Sequence, residues 1–169
     1  EVIDSDIVVM IQGDEPLVTP EMVELSVQPL LEDSSLFCTN LTKQITTLDE
    51  FQDRNTIKVT MDEQGYALYF SREPIPSRKK GTDRVPMLKQ ICIIPFRRDY
   101  LLEFNRTPET PLEIIESVDM MRVIESGGRV KMVMTQEESC GVDTPEILLK
   151  VEKKMAHDSL MSQYMPNDQ

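Results

Sequence analysis

Asp6-Ile7-Val8-Val9-Met10-Ile11-Gln12-Gly13-Asp14-Glu15-Pro16 is the stretch on which the fold turns. Its apolar run, Ile7 to Ile11, is too short for a helix and rich in β-branched residues, so it reads as a strand buried on both faces, as in a parallel sheet. The run halts at a glycine that accepts a tight turn and a proline that cannot pair in a ladder. Gln12, Asp14 and Glu15 therefore stand just beyond the carboxyl end of a central strand, the edge at which open α/β sheets bind ligands. A carboxylate beside a glycine there suits Mg²⁺, a hard ion shared between one or two carboxylates and substrate phosphates. The alternative is an acidic turn that faces solvent.

Outward from that stretch, composition sets the bounds. A chain of 169 residues, 40% hydrophobic and 28% charged, is long enough for one real core and has the make-up of a globular domain. Its net charge of −12 repels a phosphate backbone, which argues against nucleic acid as a partner. No apolar run approaches the roughly 18 residues that span a bilayer, so a membrane partner is not expected and the cytoplasm is the expected compartment. Three cysteines without paired spacing, Cys38, Cys92 and Cys140, indicate neither a disulfide frame nor a zinc site. With His157 the single histidine, chemistry here has to run on carboxylates, a metal and basic side chains.

Helix starts are the clearest local signals. Thr19-Pro20-Glu21, Thr110-Pro111-Leu112-Glu113 and Thr144-Pro145-Glu146 each pair a hydroxyl cap with proline at the first helical position and an acid in the first turn. The first opens a helix bent or ended near Pro29; the second opens a single helix to about Ser126, stopped by Gly127-Gly128. Thr47 to Phe51 reads as a short capped turn, and Arg98 to Phe104 as a helix. Strands are expected at Leu36–Leu41, at Met87–Phe96 as one run, and at Val130–Met134. Thr56–Met61 and Tyr66–Ser71, joined by Asp62-Glu63-Gln64-Gly65, make a hairpin that ends at Arg72. Ser77 to Pro86 is a basic loop, either a lid that steers an anion or a solvated surface segment. Glu113, Glu116 and Ser117 fall on one face of a helix start, there either to hold substrate hydroxyls or to complement the helix dipole. Asp143, beside Gly141 and just outside the last helix, is the natural partner for Asp14. Residues 1–155 read as one domain and 156–169 as a polar tail.

Taken in order, these segments resemble the 3-deoxy-manno-octulosonate (Kdo) cytidylyltransferase family. The matching pieces are Val9 to Leu17; Ile57-Lys58-Val59 with Gly65 to Arg72 and Pro74-Ile75-Pro76; Pro111-Leu112-Glu113 with Ile115-Glu116-Ser117; and Gly141 to Glu146. Together they cover about Val2 to Val151. The resemblance implies an α/β fold of the nucleotide-diphospho-sugar transferase type, a mixed sheet flanked by helices, here N-terminally truncated, and a homodimer. It implies a Mg²⁺-dependent transfer in which the anomeric hydroxyl of a sugar acid attacks the α-phosphate of CTP and expels pyrophosphate. Asp14 and Asp143 fall on the family's catalytic metal ligands, and Gln12, Arg72, Gln90, Glu113, Glu116 and Ser117 on positions that meet the substrates.

Two departures from the family pattern bear on activity. No basic, glycine-containing phosphate loop precedes Asp6, so the chain is expected to be a fragment that by itself binds CTP poorly and turns over little. The family's His-Ile-Gly-Ile-Tyr strand reads Gln90-Ile91-Cys92-Ile93-Ile94, and Ile114 replaces a glutamine, which points to a relative of Kdo or another small acid as acceptor. The competing readings are a transferase of the same fold for another nucleotide and an inactive dimeric interaction module.

Overall fold

In the computed structural model, which describes residues 4–78, 80–81, 85–158 and 160, the opening run forms strand β1 (Ile7–Ile11). It is not a central parallel strand. Its one ladder partner among the described residues is β6 (Ile93–Arg97), antiparallel, with Val9 opposite Pro95. Ile7 to Met10 are half-buried and Ile11 is exposed. An apolar run reports that a strand meets a core and is silent on how many strands flank it.

The larger sheet has five strands in the order β4 (Ala67–Ser71), β3 (Lys58–Met61), β5 (Leu88–Ile91), β2 (Thr39–Gln44) and β7 (Lys131–Met134). Only β2 and β7 run parallel, so the sheet is mixed. The expected β3–β4 hairpin is present, with Gly65 at φ 79° in its turn, a backbone region that disfavours any side chain. The single strand expected over Met87–Phe96 is instead two, parted at Cys92, where the chain leaves the five-stranded sheet and joins β1. Apolar residues on both sides of that switch serve cores, so periodicity does not mark it. The strand expected at Leu36 starts at Thr39. Its polar residues Thr39, Asn40 and Thr42 are fully buried because each finds a main-chain acceptor: Ser26 O at 2.6 Å, Ile91 O at 2.7 Å and Lys89 O at 2.8 Å.

Helix α1 (Pro20–Glu32) starts where the cap signal puts it, with Thr19 Oγ1 accepting from the Met22 N–H at 3.3 Å. Met22, Ser26 and Leu30, four apart, turn its buried face onto β2 and β6, while Pro29 sits inside the helix. Helices α2 (Leu48–Gln52) and α3 (Arg98–Arg106) follow their sequence signals. The expected helix from Thr110 to Ser126 divides into α4 (Pro111–Glu116) and α5 (Met120–Glu125), with Ser117 left-handed at φ 53° between them. Arg72 supplies the reason. Its guanidinium takes the carbonyls of Glu116 at 2.9 Å and Ser117 at 3.1 Å, which a continuous helix needs for its own ladder. Helix α6 (Pro145–Met155) is capped by Thr144, whose hydroxyl accepts from the Ile147 N–H at 3.3 Å. His157 is exposed, and most of the tail beyond it lies outside the described residues, as do Lys79 and residues 82–84 of the basic loop.

The main core lies under β3, β4 and α5 and includes Phe70, Phe96, Met120, Met121 and Val130. Burying a side chain of that size contributes about 1.5–3 kcal/mol each. At the edge of this core a Cβ on Gly128 would stand 2.6 Å from Tyr100 Oη and 2.9 Å from the Val123 carbonyl. Backbone cannot yield as a flexible side chain does, so Gly128→Ala is expected to cost about 2 kcal/mol, read as a lower urea midpoint with an unchanged slope.

Candidate active site

Two loops close on one another at the end of β1. The Val142 N–H donates to the Asp14 carbonyl at 2.8 Å, which ties the turn after β1 to the segment before α6. The Gln12 N–H reaches the Cys92 carbonyl at 3.4 Å and fixes the same turn to the switch between β5 and β6. Beside these joints lies a hollow of about 450 Å³ whose wall includes Gln12, Asp14, Arg72, Gln90 and Asp143. A second hollow of about 450 Å³ shares Gln12, Arg72 and Gln90 and adds Glu113 and Ser117. The two are lobes of one cleft, and seven of the eight residues singled out in the sequence line it.

Glu116 is the exception. Its carboxylate accepts from the Ser71 hydroxyl at 3.0 Å, the Arg72 N–H at 3.0 Å and the Tyr69 hydroxyl at 3.1 Å, so it braces the end of β4 from behind. Arg72 in turn spends three of its five N–H groups on main-chain carbonyls, those of Glu116, Ser117 and, at 3.1 Å, Arg54. Glu113 does not share a ligand face with Glu116 either. It is buried in a two-point pair with Arg122, at 2.7 Å and 2.5 Å, and that guanidinium also holds the carbonyls of Thr107 and Phe104. The pairing holds the Glu113 carboxyl below its ordinary value.

Several further residues shape the cleft beside those eight. Lys58, which the sequence places in the first strand of the hairpin and in a matching piece but not in the site, is fully buried and donates to the carbonyls of Asp53 at 2.8 Å, Thr56 at 2.7 Å and Arg72. Burial outweighs nearby acids and lowers its pKa. Glu15 takes a hydrogen bond from the Ser139 hydroxyl, yet desolvation raises its carboxyl. Lys89 pairs with Glu50 at 2.6 Å on the same wall. Asp119 lines the second lobe with its carboxyl also raised by burial. The Cys92 thiol, at the seam of the lobes, is pushed up to about 12 by burial and is no nucleophile.

Asp14 and Asp143 are both exposed and stand on the first lobe. Among the described residues no third histidine, cysteine or carboxylate joins them in a ligand set. Two hard oxygen donors on an open wall fit Mg²⁺, which keeps water and takes ligand phosphates, better than an ion caged wholly by protein. No described helix is long and apolar enough to cross a membrane.

The family model for cytidylyltransferases matches residues 1–138. Among curated proteins the chain is 43% identical over 163 residues to the 3-deoxy-manno-octulosonate cytidylyltransferase of Geotalea uraniireducens, covering 90% of this chain and 65% of that protein. The same enzyme of Geobacter metallireducens is 42% identical over 164 residues, covering 91% and 65%. The chain thus spans just under two thirds of the length of these relatives. Among solved structures, a CMP:2-keto-3-deoxy-manno-octonic acid synthetase complexed with CTP superposes with a TM-score of 0.84 at 34% identity, over 91% of this chain and 63% of that one.

The Glu113–Arg122 pair has a stability signature. A carboxyl lowered in the folded state contributes fully above its unfolded value, near 4.5, and the contribution is lost as pH falls through the folded value. Glu113→Gln is therefore expected to cost about 2 kcal/mol at pH 7. In urea titrations between pH 7 and pH 3 the gap between wild type and variant should close on the acid side of 4.5.

Proposed function

The chain belongs to the cytidylyltransferase family, and from that premise we propose that it serves the activation of a 3-deoxy-manno-octulosonate-type sugar acid by CTP. The observation that carries the reading is the joining of Asp14 and Asp143, 129 positions apart (143 − 14), on one lobe of a cleft whose other lobe offers Glu113 and Ser117. In this reading the first lobe takes the triphosphate and the second the sugar acid, with Gln12, Arg72 and Gln90 at the boundary where the new bond forms.

The bond made is between the anomeric oxygen of the sugar acid and the α-phosphorus of CTP; the bond broken releases pyrophosphate. Such a transfer asks for in-line placement and relief of negative charge more than for proton chemistry, which agrees with a cleft that holds no histidine among its described lining. Asp14 and Asp143 would hold Mg²⁺, which supplies charge neutralisation at the phosphates and a more acidic attacking hydroxyl. Arg72, fixed by three carbonyls, keeps two N–H groups for an anion without being free to swing. Gln12, exposed at the end of β1, and Gln90, buried in the floor, orient ligands without adding charge. A homodimeric assembly and a cytoplasmic setting belong to the same proposal.

Asp14→Asn and Asp143→Asn test it. Each is expected to lower whatever Mg²⁺-dependent pyrophosphate release the chain gives from CTP and Kdo by about a hundredfold or more, the scale of one lost charge-stabilising contact. Calorimetry of CTP with and without Mg²⁺ reads the same loss as binding. Pyrophosphate release that is unchanged in both variants overturns the assignment.

A further inference from the structure

Gln90 and Asn40 lie 50 positions apart and meet beneath the cleft, where the hydrogen bonds of one dictate the direction of the other. Asn40 is fully buried, and its Nδ2 donates to the Ile91 carbonyl at 2.7 Å and the Leu41 carbonyl at 3.0 Å. Main-chain carbonyls only accept, so the amide of Asn40 cannot be turned about, and both its protons are spent. Its Oδ1 is thereby left to accept, and it does so from Gln90 Nε2 at 2.6 Å. The Gln90 amide is fixed in consequence with its nitrogen downward and its oxygen toward the ligand side.

That oxygen is unengaged. Gln90 Oε1 accepts from no described group, and it is not among the fully buried polar atoms left without a partner, a class that holds only Thr110 Oγ1 among the described residues. Gln90 borders both lobes, and with its nitrogen held by Asn40 the oxygen is the end of the amide left for the cleft. Neither neighbouring charge turns the amide: Arg72 is anchored by three carbonyls with two N–H groups left over for an anion, and Glu113 is paired with Arg122.

We propose that Gln90 is a specificity-determining residue that offers a hydrogen-bond acceptor, and that Asn40 is the positioning residue that enforces that polarity. The group that docks there is a hydroxyl of a polyhydroxylated sugar acid, not its carboxylate, because an ionised oxygen brought against an amide oxygen that cannot rotate is repelled. This rests on the sugar-acid reading of the second lobe. It goes beyond that reading in stating which end of the amide meets the ligand and why.

The test has two arms on the full 169-residue chain. The first needs no ligand: in ¹⁵N-resolved spectra one Gln90 side-chain amide proton should be protected from exchange with water, and Asn40→Ala should abolish the protection. Free exchange of both protons in the wild type overturns the polarity argument. The second arm measures calorimetric binding of Kdo and its single-deoxy analogues. Wild type should bind one deoxy analogue about three- to tenfold more weakly than Kdo, and Gln90→Met should lose that discrimination for the same analogue and no other. A uniform loss across Kdo and all analogues in Gln90→Met overturns the specificity role. If wild type binds no Kdo, the sugar-acid reading fails and takes the hydroxyl assignment with it, while the first arm still decides the amide direction. Should Asn40→Ala fail to fold, as judged by circular dichroism, the wild-type exchange rates and Gln90→Met carry the decision.

Discussion

The grip of Arg72 on main-chain carbonyls is what the cleft depends on. One guanidinium at the end of β4 holds Glu116 O, Ser117 O and Arg54 O, and its own carbonyl is held by buried Lys58. The same contacts divide α4 from α5, seat the loop before β3 and leave Arg72 standing between two lobes. A planar five-donor group suits the task, because several acceptors can be satisfied without freedom for the side chain to rotate. Lysine at position 72 would offer three donors on a flexible stem and would leave carbonyls unpaired near the core.

Elsewhere the described residues repeat the device. Arg97 takes the carbonyls of Leu30, Asp33 and Leu36 where α1 runs out, and Lys43 takes those of Gln136 and Glu137 after β7. Helix ends and strand ends leave carbonyls without partners, and an acidic chain with only 18 basic residues places several of them there. Half-buried or buried cations answered by neutral dipoles avoid the geometric demands of a buried ion pair while still satisfying the backbone. Glu113–Arg122 is the one described ion pair in which both side chains are largely buried.

The sequence made visible what local chemistry decides. Thr19-Pro20 and Thr144-Pro145 marked helix starts to the residue, and Gly65 marked the hairpin turn. The shared wall of Asp14 and Asp143 agrees with the resemblance and with two acids that each stand near a glycine, one after β1 and one just before α6. Long-range choices stayed hidden. The switch at Cys92 lies inside an unbroken apolar run, the division at Ser117 is imposed by a side chain 45 positions away, and Asn40 looked like one more polar residue in a strand. Lys58 was legible as a strand residue and illegible as a buried cation, since period alone cannot tell a lysine facing water from one capped by carbonyls.

Turning basic groups inward has an outward cost. With Lys58, Arg72 and Arg122 committed to the interior, the field beyond the surface is governed by the 30 acids, and an approaching polyanion meets repulsion before it meets the cleft. Dissolved salt shortens the reach of that repulsion to about 8 Å at physiological ionic strength. For any anion the approach to such a surface is eased as the medium grows more saline, opposite to the dependence of proteins that draw anions in by a positive surface.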